Sequence, residues 1–241
     1  MAFLKKPRDL PNLMLCGNPL PWTDGCKHLG INLENKINGC EHDMRTKNAQ
    51  YIGKNIEINQ EFQFVHPSTK IRVNSIYNSS YYGSPLWNLF GSGAFSIQSS
   101  YNKSVKVMLD LPYETHRSLI EPLTGEKHVK LVLIKRFLGF MDKIRNSEKI
   151  ALKMLQLEAM RDVRSVTGSN YRNVMLLLGK SRVEDVKLED STSLTYHTLD
   201  PSEAWKVSSI KEIINTKAGM LEVPGFQTEE LEEILHHLCT S

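Results

Sequence analysis

The spacing of apolar residues switches at Asn38-Gly39 from a period of two to a period near 3.6. Before that point the segments are short and broken by turns. Residues 12–16 are apolar-rich and stop at Gly17-Asn18-Pro19. Residues 20–22 follow, and Pro21 confines them to an edge or a strand start. Thr23-Asp24-Gly25 turns the chain again. Residues 26–33 then alternate as one strand, with Cys26, His28, Gly30 and Asn32 on one face and Lys27, Leu29, Ile31 and Leu33 on the other. So few short strands do not hold together alone in water, so this hairpin needs a neighbour.

Past Gly39 the pattern is helical. Residues 43–64 lack Pro and space Met44, Tyr51, Ile52, Ile58 and Phe62 as a stripe. His66-Pro67-Ser68 ends that helix, and Ser68 is placed to cap the next, over 69–79, with a stripe of Ile71, Ile76 and Tyr77. Tyr81-Tyr82-Gly83-Ser84-Pro85-Leu86-Trp87 reads as an aromatic turn, and Gly91-Ser92-Gly93 as a flexible one. Residues 96–109 form a helix that Leu111-Pro112 stops. Glu114-Thr115-His116-Arg117 opens a short helix or turn, closed by Pro122 and Gly125.

Residues 126–146 carry the strongest periodicity and are apolar on most sides, as in the central helix of a bundle. Helices over 147–161 and 171–178 follow, the second entered through Thr167-Gly168-Ser169-Asn170. Residues 179–202 are polar, with a short strand over 192–196, and amphipathic helices cover 201–216 and 228–239. The expected fold is mainly α, a helical bundle with a short N-terminal antiparallel β-hairpin. Its expected parts are residues 1–37 (hairpin), 38–112, 113–180 and an acidic segment, 181–241.

Composition narrows the class. The 241 residues are 40% hydrophobic and 24% charged, too apolar for a disordered chain. The longest apolar runs, 131–134 and 174–178, are far short of the ~18–20 residues of a membrane span. Four cysteines in this length make no disulfide framework. Lys5, Lys6, Arg8 and Asp9 leave no secretory apolar region at the start. The expected location is intracellular, in cytoplasm or nucleus, without a membrane partner. The net charge of +3 conceals an asymmetry: residues 1–180 carry 25 Lys and Arg against 15 Asp and Glu, and 181–241 carry 5 against 12. A basic body with an acidic end suits a polyanionic partner for the body.

Few patterns carry chemistry. Cys26-x-His28 and Cys40-x-His42 resemble metal-ligand pairs, but their spacing is not that of a zinc finger or knuckle. No nucleophile elbow, phosphate loop or dinucleotide fingerprint is present, and no two Asp are adjacent. The basic positions say more. Lys47 and Lys54 are seven apart and share a helical face, either solvated or contacting phosphates. Arg161, Arg164 and Arg172, with Ser169, surround a helix start whose free N–H groups suit a phosphate. The competing interpretation is a cap in which Asp162 pairs a neighbouring Arg. Tyr81, Tyr82 and Trp87 either stack on bases or plug the core.

The order of the motifs is more specific than any one of them. Cys26-Lys27-His28-Leu29-Gly30-Ile31-Asn32-Leu33 comes first, followed by Asn59-Gln60-Glu61-Phe62 and Tyr82-Gly83-Ser84-Pro85-Leu86-Trp87. Leu111-Pro112-x-x-Thr115-His116-Arg117, Arg136-Phe137 and Asp162-x-Arg164-Ser165-x-Thr167-Gly168-Ser169-Asn170 follow. This series resembles the region after the catalytic palm in reverse transcriptases of non-LTR (LINE-type) retrotransposons. The resemblance implies a primer grip at Lys27, His28, Leu29 and Gly30, beside the 3′ end of the primer strand. It implies a thumb in the helices from about residue 43 to 79, holding a template–primer duplex, and a connection region after it. The fingers, the palm and its Asp pair are missing from the match. The expected product is therefore a truncated, non-catalytic fragment with no cofactor, the parent's Mg2+ site being absent. Its expected partner is RNA–DNA hybrid or duplex nucleic acid, held without sequence preference. The alternative is an α-helical protein-interaction module, docking through the acidic helix that carries Glu229, Glu230, Glu232 and Glu233 with Leu231, Ile234 and Leu235.

Overall fold

The computed structural model describes residues 14–19, 25–34, 40–78 and 81–194. They form a mainly helical bundle with short antiparallel strand pairs at the N-terminal end. Strand β1 (Met14–Leu15) pairs with β2 (Asn18–Pro19), and β3 (Gly25–His28) with β4 (Ile31–Glu34). Each pair closes through two residues of positive φ: Cys16 at 49° and Gly17 at 82°, then Leu29 at 48° and Gly30 at 81°. This is the φ pattern of a two-residue type I′ turn, whose twist matches the strands it joins. The expected N-terminal hairpin is present, but its turn falls inside residues 26–33, whose alternation reads as one strand. The reason is Gly30, which has no Cβ and enters the left-handed region at no steric cost, so the chain reverses there. The faces change with it. Cross-strand partners share a face, so Cys26 and His28 lie with Leu33 and Ile31, and Lys27 lies with Asn32.

The hairpin finds its neighbour in the helices. Leu33 packs on the main core, and the Asn32 N–H donates to Asp43 Oδ1 at 3.0 Å. Helix α1 (Glu41–Glu61) starts two residues earlier than its apolar stripe predicts. Glu41 and Asp43 in its first turn complement the positive end of the helix dipole. Met44, Tyr51, Asn55 and Ile58 form its buried stripe, while Ile52 and Phe62 face outward.

Helix α2 (Pro67–Asn78) is capped by His66 rather than Ser68: His66 Nδ1 accepts the Ser68 N–H at 3.3 Å. Proline at the first helical position needs no hydrogen-bond partner. Ile71 and Asn74 are buried there, and Ile76 and Tyr77, expected inside, are exposed. Gly91-Ser92-Gly93 is the start of α3 (Ser92–Met108) rather than a flexible turn. A Cβ on Gly93 would lie 2.8 Å from Met44 Cε, so this glycine lets α3 meet α1 closely.

Short α4 (Ile120–Thr124) leads to α5 (Val129–Arg145), the central helix its sequence promises. Leu131, Leu133, Ile134, Phe137, Leu138 and Met141 are all buried on it. Helices α6 (Ile150–Arg161) and α7 (Val166–Leu177) join at a tight corner and pack on each other; α6 also packs on α5, and Tyr171 of α7 lies edge-to-face on Phe137 of α5 at 5.1 Å. One buried cluster runs from Cys40 and Met44 through Trp87 and α5 to Val186 and Leu194. A smaller one joins Ile58, Ile71, Val105, Met108 and Ile120.

Trp87 is fully buried, with Tyr81 edge-to-face on it at 6.4 Å. The aromatic turn is therefore a core plug, and only Tyr82 of the three proposed stacking rings is exposed. At the far end Glu189–Thr192 is a 3-10 turn where a strand start was expected. Thr192 Oγ1 donates to the Glu189 carbonyl and Ser193 Oγ to that of Asp190, local bonds that favour a turn. The helices expected over 201–216 and 228–239, including the acidic docking face, lie outside the described residues, as does the segment 20–22. Among the described residues no helix is long and apolar enough to cross a membrane.

Candidate nucleic-acid interface

The hairpin turn presents its residues outward. Lys27, His28 and Gly30 are exposed, and Leu29 is 73% exposed at the apex. The turn is held by its base: Asp43 accepts from the Asn32 backbone with Oδ1 and from Trp87 Nε1 with Oδ2 at 2.9 Å. On α1, Lys47 is half-buried and Lys54 exposed, with the Lys54 ammonium 3.5 Å from the Tyr77 carbonyl oxygen.

The three arginines divide. Arg161 ends α6 and Arg172 lies on α7, and both line one small cleft of about 110 Å³ with Val163, Val183 and Glu184. Arg164 is turned to Asp162, with Nε 3.3 Å from Oδ1, and this exposed pair carries little stability. Backbone and side-chain bonds from Arg164 hold the Asp162 carboxyl below the usual carboxylate range. The cap of α7 is Ser165, whose Oγ accepts the Gly168 N–H at 2.9 Å. The helix thus starts at Val166, earlier than 171, and Ser169 lies within its first turns. Asn170, next in the motif, is fully buried and bridges Trp87 and Leu89 backbone groups.

A larger basic cleft escaped the sequence-based expectation. Phe95, Gln98, Ser99, Asn102, Lys103 and Lys106 recur at three- and four-residue intervals along one face of α3. That face forms one wall of a cleft of about 580 Å³, and Tyr113 to Arg117, His128 and Lys130 form the other. Lys103, Lys106, Arg117 and Lys130 bring four cations to it against the single carboxylate of Glu114. The signal was present as the polar stripe of 95–106 and the Thr115-His116-Arg117 motif. Nothing in either segment alone shows that they meet.

The cations leave a mark on His128. Its Nδ1 caps α5 by accepting the Lys130 N–H at 3.3 Å. Burial, then Lys130 and Arg117, push the ring down from the ordinary histidine value to about 4. The unfolded chain binds a proton near pH 6.5 and the folded chain only near 4, so falling pH favours unfolding across that interval. Stability is expected to be full above pH 7 and to drop by about 2 kcal/mol by about pH 5 through this residue. Urea unfolding at several pH values checks it, and His128→Asn, which keeps a capping acceptor, is expected to flatten the dependence.

The Cys and His pairs do not assemble. Cys26 and His28 share a hairpin face, whereas Cys40 is buried before α1, where burial and then Asp43 and Glu34 push its thiol up to about 11. Among the described residues no group of three or more His, Cys, Asp or Glu is placed to hold a metal ion. Comparisons of the chain with family models, with curated proteins and with solved structures find no match.

Proposed function

We propose that this chain is a post-palm fragment of a LINE-type reverse transcriptase that contacts the backbone of a template–primer duplex without catalysing synthesis itself. The observation that carries it is the ordered series of motifs from Lys27-His28-Leu29-Gly30 to Gly168-Ser169-Asn170. The exposed Leu29-Gly30 apex and the excess of basic residues over 1–180 support it. Phosphate contacts by Lys47, Lys54, Arg161, Arg164 and Arg172 would position a duplex without reading bases. Binding to an RNA–DNA hybrid is then steeply salt-dependent, and replacing those five residues with Ala lowers the slope of log K against log salt. Fluorescence anisotropy across a salt series measures both. Absence of binding at ~50 mM salt by the folded chain defeats the proposal.

One observation favours a protein partner instead. Helix α6 turns Ile150, Leu152, Met154, Leu155 and Leu157 outward, and Ile150 is 75% exposed. Light scattering after size exclusion separates the two: a stable oligomer with no nucleic-acid affinity selects the interaction module.

A further inference from the structure

We propose that the cleft between α3 and the 113–117 turn binds the phosphate-bearing end of a nucleotide. The inference stands apart from the duplex proposal, which uses other residues. Gln98, Asn102 and Thr115 line this cleft, and each also carries a buried polar atom without a hydrogen-bond partner among the described residues: Gln98 Nε2, Asn102 Oδ1 and Thr115 Oγ1. Thr115 is a lining residue only 1% exposed, so its hydroxyl is shielded from bulk water just behind the cleft wall. An unsatisfied buried polar group costs about 1–3 kcal/mol, and three of the nine such atoms among the described residues belong to the lining of this one cleft. A ligand bearing both donors and acceptors that enters the cleft and draws these side chains slightly toward it would satisfy them.

The charge says which kind. Four cations against one carboxylate select an anion, and a phosphate accepts several charge-assisted hydrogen bonds at once. Lys103 and Lys106 lie over the Tyr113 ring, 5.9 and 5.6 Å from its centre, and Lys130 lies 5.6 Å from that of Phe95. The two rings are 69% and 55% exposed, so an aromatic surface stands beside each cation group. Phosphate beside a stacking ring is the recognition chemistry of a nucleotide, and 580 Å³ is within the range of small-ligand sites. Gln98 and Asn102 supply the amide groups a base or ribose edge requires. A free mononucleotide and a phosphorylated strand end offer the same chemistry.

Calorimetry on the full chain tests this with AMP, adenosine and inorganic phosphate. AMP is expected to bind with one-to-one stoichiometry, adenosine at least about tenfold more weakly, and phosphate to compete. Thr115→Val keeps the buried shape and removes the hydroxyl. It is expected to weaken AMP binding several-fold while leaving the ligand-free melting temperature unchanged or higher, which a purely structural hydroxyl would not do. Lys103→Gln, on the surface, is expected to weaken AMP with no change in folding. Tighter binding of a 5′-phosphorylated than of a 5′-hydroxyl oligonucleotide assigns the site to strand ends, and equal or no oligonucleotide binding assigns it to free nucleotide. The proposal is overturned if the folded chain fails to bind AMP, if AMP and adenosine bind alike, or if both variants keep wild-type affinity.

Discussion

Replacing Asp43 with alanine is expected to destabilise the fold by about 4 kcal/mol and to loosen the N-terminal hairpin first. Asp43 is fully buried, yet lies in the first turn of α1 where a surface carboxylate would be unremarkable. Its two oxygens divide the work. Oδ2 accepts Trp87 Nε1–H at 2.9 Å, and Oδ1 accepts the Asn32 N–H at 3.0 Å and its side-chain amide at 3.4 Å. One side chain therefore joins the hairpin, α1 and the aromatic turn. Alanine strands an indole N–H and a peptide N–H where water does not easily reach, at about 1–3 kcal/mol each. Asparagine keeps one acceptor but aims an amide N–H at one of two donors, so its loss should be intermediate. Urea unfolding gives the magnitudes, and near-UV circular dichroism reports Trp87. If alanine costs under about 1 kcal/mol, the three-way junction is not what seats the hairpin.

The sequence carried much of this fold because long apolar stripes are hard to misread. Helix α5 needs only its own 17 residues to declare itself buried. Its boundary was harder, because His128 caps it and histidine is an unusual cap. The same ring-nitrogen device at His66 displaced the start of α2, and at His116 it caps a 3-10 turn over Arg117–Leu119 where the sequence opens a helix or turn at Glu114. The hairpin was legible but its turn was not, because that turn is Leu29-Gly30 rather than Asn-Gly, so the alternation ran straight through it. Asp43 and Asn170 were invisible as core because polar residues are read as surface, and the partners that satisfy them lie 11 and 44 residues away for Asp43 and 81 and 83 residues away for Asn170. The candidate site split in the same way. Arg161 and Arg172 share a cleft because one tight corner joins their helices. The 95–130 cleft depends on two segments meeting, which no local pattern encodes.

That corner sets up the second large effect. Gly168→Ala is expected to cost more than about 3 kcal/mol, although alanine is the better helix former and Gly168 is the third residue of α7. The reason is steric rather than conformational. An added Cβ would overlap the Asp162 carbonyl oxygen and lie 2.7 Å from that of Ala159. Both contacts are backbone, so no side chain can swing aside. Ser165 Oγ locks the same spot, lying 2.6 and 2.7 Å from those two oxygens while accepting the Gly168 N–H. Relief requires α7 to move off the end of α6, which opens the packing of Met160 and Tyr171 and separates Arg161 from Arg172. Gly53→Ala is the control. Gly53 lies on the exposed side of α1 with nothing within 4 Å of an added Cβ, and the substitution is expected to stabilise by about 0.5–1 kcal/mol. The same chemical change should thus shift the melting temperature in opposite directions at the two sites. If Gly168→Ala melts at or above the wild-type temperature, α6 and α7 do not approach as closely as their backbone positions require.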